Sequence, residues 1–401
     1  MRRIVWINKG EWLKPGPIVY MGLLNAMTFA QLGSSTDYFV SAGTHSDTNE
    51  DLVNFYGLRP HDLLTIHRIK DQRRGQRRIY SIAFENLKTY CASGENVVAL
   101  TREIGALPQL IRLKTEYPQL KVLYEAHDYY LTTRYLKRQG ISFSDLRRRW
   151  AEWMLIPKTD GLICLTEHQR ALYQQGFPDL PMIALPLGCL TPAKKLALDQ
   201  RRLHRRIAYI GHLHHFKGVE LIFDLAEELK HANITLQSFG GNADEIRTLQ
   251  NKAEQEGLGN VLQFEPFIEP KRLHEILDND ISLGLMPLLD TFYNRYLTCP
   301  VKALDFLAHG LPILTSDLPS VREVLRETGF YCASKNVDDF ACNALMLLDD
   351  PALYATASTA SYARRDELQW PLRAQAILDF VEKNELGPQN ETHPFGIAYC
   401  K

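Results

Sequence analysis

No stretch of this 401-residue chain approaches the roughly 18 consecutive apolar residues expected of a membrane-spanning helix. Cysteine is equally uninformative as a framework. Cys91, Cys164, Cys189, Cys299, Cys332, Cys342 and Cys400 are odd in number and scattered, with no spacing of a metal knuckle or redox pair. That pattern points to a reducing compartment, the cytoplasm, with peripheral contact at a membrane as the furthest departure from it. A secretory leader is not expected, because Met1-Arg2-Arg3 runs straight into Ile4-Val5-Trp6-Ile7, which reads as a buried strand. Net charge is also scarce. With 46 basic and 47 acidic side chains the formal charge is -1, so no global field favours nucleic acid.

What the chain does have is length and a 45% hydrophobic composition, enough for two ordinary cores without metals or staples. Short apolar runs alternate with longer amphipathic stretches: Ile4-Val5-Trp6-Ile7, Tyr38-Phe39-Val40, Val97-Val98-Ala99-Leu100, Val122-Leu123-Tyr124 and Gly161-Leu162-Ile163-Cys164-Leu165. A polar stretch, Gln200-Arg201-Arg202-Leu203-His204-Arg205-Arg206, separates them from a second series at 207–210, 234–236, 261–264, 281–285 and 312–315. This grammar of strands and crossover helices predicts an α/β chain of two open parallel-sheet domains. Helices are predicted at 18–32, 219–230, 243–256, 271–277, 301–309, 320–327 and 370–383.

Three segments carry chemistry. Gly211-His212-Leu213-His214-His215-Phe216-Lys217-Gly218 lies at a strand-to-helix junction, where Lys217 can neutralise an anion. Its histidines lack the convergent ligand set of a zinc site, and no metal is assigned. Pro300 can open a helix whose first amides face an anion, with Asp305 about 6–8 Å further along the axis. That separation suits a diphosphate at the helix end and ribose hydroxyls at the carboxylate. Glu125-Ala126-His127-Asp128 follows a strand, so His127 is placed to hydrogen-bond a substrate or leaving-group oxygen.

Weaker candidates surround these. The Lys14-Pro15-Gly16-Pro17 turn can bring backbone amides close to a ligand, and Tyr293-Asn294 can meet sugar hydroxyls. Two basic features, Arg68 through Arg78 and Leu146-Arg147-Arg148-Arg149-Trp150, suit either a solvated surface or an anionic partner such as a membrane.

Tyr124-Glu125-Ala126-His127-Asp128, the 211–218 segment and Pro300-Val301-Lys302-Ala303-Leu304-Asp305-Phe306-Leu307-Ala308-His309-Gly310-Leu311-Pro312 resemble segments of retaining glycosyltransferase family 4, the glycosyl transferases group 1, which has the GT-B fold. Ser316-Asp317-Leu318-Pro319-Ser320-Val321-Arg322-Glu323 resembles the following strand end and helix start. The resemblance is densest over 205–330. It implies two Rossmann-like domains facing a cleft: an acceptor-side domain at 1–195, a nucleotide-sugar domain at 205–365 and a terminal helix at 366–385 crossing back to the first.

The resemblance further implies a nucleoside diphosphate sugar, UDP- or GDP-linked, as donor substrate, with no separate cofactor and no metal. Lys217 contacts the diphosphate and, with His127, is assigned a catalytic role. Asp305 stands where the family has a ribose-binding glutamate, and His212 where it often has a phosphate-binding arginine. Phe267 and Ile268 form the base loop. Gly16, Tyr293, Asn294, Thr298, Cys299, Pro300 and Val301 complete the donor set. Leu297 replaces an acidic residue that contacts the donor sugar. The implied reaction transfers a sugar, with retained anomeric configuration, to a carbohydrate or lipid-linked acceptor. Two alternatives stay open: a sugar-nucleotide epimerase, and a catalytically weak nucleotide-sugar-binding protein.

Overall fold

The computed structural model describes residues 2–43, 47–70, 77–132, 143–192, 198–213 and 218–385. Two sheets organise them. In the first, β1 (Arg3–Glu11), β2 (Ser35–Ser41), β3 (Leu64–Ile69), β4 (Val97–Thr101), β5 (Lys121–Ala126), β6 (Gly161–Cys164) and β7 (Met182–Ala184) lie in the order β3-β2-β1-β4-β5-β6-β7. In the second, β8 (Arg206–Ile210), β9 (Thr235–Phe239), β10 (Leu262–Glu265), β11 (Leu283–Met286), β12 (Ile313–Ser316) and β13 (Gly329–Cys332) lie in the order β10-β9-β8-β11-β12-β13. All recorded pairings are parallel.

The central strands are buried on both faces, which is why they read as unbroken apolar runs: Val97 to Thr101 and Leu283 to Met286 are buried at every position. Three strands escaped the sequence reading, β3, β7 and β13, and all three are sheet edges. An edge strand need not be apolar on both sides. β3 reads Leu64-Thr65-Ile66-His67-Arg68-Ile69, and only Ile69 is buried.

Each sheet reverses its strand order beside its first strand, between β1 and β4 and between β8 and β11. At such a switch point the carboxyl ends of neighbouring strands diverge and leave a crevice. The two crevices face each other.

The helix Trp370–Glu385 returns to the first sheet. Its approach depends on two glycines. A Cβ on Gly161 would sit 2.5 Å from the Phe380 ring, and one on Gly188 would sit 2.4 Å from Trp370. One apolar cluster therefore runs from Trp6 and Leu123 through Trp370 and Ile377 to Ala208 and Phe306. The polar connecting stretch is not an open linker: Leu198–Leu203 is helical, and the fully buried Arg201 donates to the His309 carbonyl.

Candidate active site

A cavity of about 850 Å³ occupies the space between the two sheets. The first half supplies most of its wall: the turn after β1 with Lys14 and Gly16, Arg102 and Glu103 after β4, His127, Asp128 and Tyr130 after β5, and Arg148. The second half closes it with His212 after β8 and Phe267 after β10, whose rings meet edge to face at 4.9 Å. Four of the residues singled out from sequence, Gly16, His127, His212 and Phe267, thus share one space. Gly16, at φ 123°, caps the helix Pro17–Gln31 without a side-chain hydrogen bond, so the first amides of that helix open towards the cavity.

His127 is held from behind. Its Nε2 lies 2.7 Å from Glu125 Oε1, and Glu125 Oε2 accepts from Arg373 Nη2 at 2.6 Å. Arg373 comes from the terminal helix and also donates through Nε to the Pro186 carbonyl at 2.9 Å. Burial works against the Glu125 carboxylate, yet Arg373 and His127 together hold its pKa down to about 2. An ionised Glu125 has no proton to give, so the shared proton resides on His127 Nε2 and the free lone pair on Nδ1. Burial first, and then the Arg102 charge, lower the His127 pKa, which keeps the ring neutral and Nδ1 an acceptor for a hydroxyl.

Sequence reasoning singled out His127 rather than Glu125 in this segment, and did not assign Arg102 or Arg373. Glu125 and Arg373 lie 248 residues apart, so no local spacing reveals their contact. Arg102 does carry a signal, since it directly follows the buried run Val97 to Thr101 at a strand's carboxyl end. Tyr293 belongs near this group. Burial, together with the charge of Asp128, pushes its hydroxyl up to about 12, with Arg102 opposing.

The other donor-side candidates lie deeper than the sequence implied. Asn294 was expected to face sugar hydroxyls, but it is buried, and its side-chain amide donates to the Leu289 carbonyl at 2.8 Å, making it a brace for its own loop. Thr298 and Cys299 are buried too, and the Cys299 sulfur accepts from the Leu187 amide across the joint between the halves. Leu297 is fully buried in the apolar cluster of the first sheet, with Val5 and Tyr124, so it plugs the joint. Arg295 is clamped by Asp290.

The helix Val301–Ala308 buries Ala303, Leu304, Phe306, Leu307 and Ala308 and leaves Pro300 at its N-cap. Val301 and Asp305 fall on its less buried side. Asp305 lies 4.0 Å from His274 Nε2, and burial alone raises its carboxyl to about 7. Ile268 packs partly buried beside Phe267. Lys217, with His214 and His215, lies outside the described residues. Among the described residues no group of three or more His, Cys, Asp or Glu side chains is placed to hold a metal ion.

Solved structures share this architecture. Sucrose-phosphate synthase from Thermosynechococcus elongatus superposes with a TM-score of 0.71 at 16% identity, over 97% of this chain and all of the other. Anabaena HepE in complex with UDP-glucose does so with a TM-score of 0.67 at 14% identity, over 96% of this chain and all of that one. The chain has the GT-B fold, two Rossmann-like parallel-sheet domains. Within it, residues 204–350 match the family described as Glycosyl transferases group 1, to which this part of the chain is related. A protein of Haemophilus influenzae described as an uncharacterized glycosyltransferase is 24% identical over 223 residues, which take in 54% of this chain and 59% of that protein.

Proposed function

We propose that the chain transfers a sugar from a nucleoside diphosphate sugar to an acceptor hydroxyl, with retention at the anomeric carbon. The observation that carries this reading is the cavity itself. A neutral, carboxylate-oriented His127 and the open start of the helix Pro17–Gln31 face His212 and Phe267 across one space of a size for a sugar and its acceptor. The related family supports the donor class, as do the UDP-glucose bound by the Anabaena protein and the UDP and GlcNAc bound by the pneumococcal O-GlcNAc transferase GtfA.

In this reading the nucleotide lies on the second domain. Phe267 and Ile268 flank the base, Asp305 takes the ribose, and the backbone of Thr298, Cys299, Pro300 and Val301 takes the diphosphate with Lys217. As the bond from the anomeric carbon to the phosphate oxygen breaks, the acceptor oxygen bonds the same face, and its proton passes to the departing phosphate. His127 Nδ1 accepts a hydroxyl that fixes the sugar against the leaving group, and preorganised positive charge stabilises the charge developing on the diphosphate. The acceptor, a carbohydrate or a lipid-linked saccharide, lies over the turn around Gly16 and Tyr130.

Asp305 supplies the test. A carboxyl raised to about 7 is partly protonated at neutral pH, and a ribose hydroxyl is best held by the charged form. Affinity for UDP or GDP is therefore expected to rise as pH increases through about 7 and then level off. Asp305→Ala should weaken it by about 1–3 kcal/mol and flatten that pH dependence. Calorimetric titration from pH 6 to 8.5 checks both. Equal affinities in parent and variant across that range remove the ribose from Asp305.

A further inference from the structure

The helix Phe143–Leu155 is built inside out. Its one buried residue is Glu152, while Phe143, Leu146, Trp150 and Trp153 are 83%, 49%, 62% and 62% exposed. Those four follow one another at steps of three, four and three, the spacing that aligns side chains along one helix face. On a helix packed into a protein such a stripe faces the core; here it faces outward. At about 100° per residue, Arg147 and Arg149 fall on either side of the stripe and Glu152 on the opposite side.

Glu152 shows what pins the helix in this orientation. Its carboxylate oxygens accept from the Tyr130 amide at 2.7 Å and from the Tyr173 hydroxyl at 2.9 Å. The polar side is thereby locked inward, and the aromatic side has nowhere to go but solvent. A groove of about 560 Å³ runs beside the stripe, lined by Tyr129, Leu131, Leu146, Arg149, Trp150 and Trp153 among others.

We infer that this face docks on an anionic membrane surface, with the indole rings at the level of the lipid headgroups and the groove open to an acyl chain. The side-chain set selects that occupant. Tryptophans and a phenylalanine on one face flanked by arginines match the interfacial requirement for apolar burial beside negative headgroups. The helix's acidic side chains, Asp145 and Glu152, are turned into the protein and do not oppose it.

The seat also adjoins the cleft. Tyr129 lines the groove and its neighbour Tyr130 lines the cavity, where Arg148 donates to the Tyr130 hydroxyl at 3.3 Å and lies over its ring. A lipid-linked acceptor seated on the helix would meet the cavity one residue away. That clause rests on the sugar-transfer reading; the docking surface does not.

The test needs no donor sugar. The full chain is mixed with vesicles of phosphatidylglycerol and phosphatidylcholine, or of phosphatidylcholine alone, and assayed by co-sedimentation and tryptophan emission. The expected result is binding to the anionic vesicles with a blue-shifted emission, weakened by added salt. It should fall at least tenfold in Trp150→Ala/Trp153→Ala and in Arg147→Gln/Arg149→Gln, all exposed positions whose loss leaves the fold intact. Sugar transfer to a soluble acceptor should be unaffected in these variants, so a failure of vesicle binding is distinguishable from a failure of the catalytic reading. The inference is overturned if the parent ignores anionic vesicles, if the variants bind as the parent does, or if the parent is a concentration-dependent dimer that Trp150→Ala/Trp153→Ala abolishes, which would assign the face to a second copy.

Discussion

Arg373→Met is expected to destabilise the chain by about 3–5 kcal/mol, the range for removing one partner of a buried ion pair. Both side chains are nearly inaccessible, at 3% for Arg373 and 2% for Glu125. The variant would strand a carboxylate beside His127 with no full positive charge to answer it. Glu125 is held down to about 2 in the folded chain from an ordinary 4.5. A depressed carboxyl contributes stability that is fully present above its unfolded value and is lost as pH falls through the folded one. The gap between parent and variant should therefore be widest at neutral pH and narrow as pH drops from about 4.5 towards 2. Glu125→Gln/Arg373→Met should recover part of the loss, because no buried charge is then left unpaired. Urea unfolding across this pH range measures all three. A single-variant cost below about 1 kcal/mol at pH 7 would falsify the buried-pair account.

The second large effect is catalytic. His127→Ala should lower turnover at saturating donor by about 100-fold or more, the lower bound usual for a positioned acid–base or hydrogen-bonding group. Nucleotide affinity should change little, because His127 stands on the first-domain wall of the cavity whereas the proposed nucleotide contacts all belong to the second domain. His127 is partly buried but lies on a cavity wall, so the loss of its ring leaves space for water rather than a void in the core. Unchanged circular dichroism with unchanged turnover would return His127 to a purely structural role. Coupling to the first experiment is expected, since Arg373 and Glu125 orient the ring: Arg373→Met should also reduce turnover while it remains folded at low temperature.

Most of the architecture was legible because parallel strands buried on both faces carry continuous apolar runs. The predicted segments at Ile4, Val97, Val122 and Ile207 fall inside β1, β4, β5 and β8. The predicted helices at 18–32 and 243–256 agree with Pro17–Gln31 and Ala243–Gln255 to within a residue at each end. Capping and turn chemistry fixed those bounds: Pro17 opens the first helix, and Asn242 with Glu245 forms a capping box at the second. The edge strands β3, β7 and β13 hid because one side of each faces outward, whereas β10, also an edge, was read from its run at 261–264. The cavity was legible at strand ends and turns, as at His127, His212 and Gly16, and through the family resemblance at Phe267.

What stayed hidden depends on contacts between distant segments. Leu297 could be read as a missing acidic contact, whereas its packing against the first sheet shows up only when the two halves are together. Arg373 lay within a predicted helix, yet nothing local distinguished it from a surface arginine. The helix carrying Phe143, Leu146, Trp150 and Trp153 was not predicted, and only its basic run Leu146-Arg147-Arg148-Arg149-Trp150 was noted. Its true orientation is decided by Glu152, whose hydrogen-bond partners come from two other segments.

The central claim, that the cavity between the sheets joins a nucleotide-linked sugar to an acceptor, is tested most directly by mass spectrometry of products. The chain is incubated with a panel of UDP- and GDP-sugars and with carbohydrate and lipid-linked acceptors. The expected result is an acceptor heavier by one sugar residue, formed in step with free nucleoside diphosphate and abolished in His127→Ala. Conversion of the donor sugar without any acceptor, or tight donor binding with no product across the panel, would contradict it.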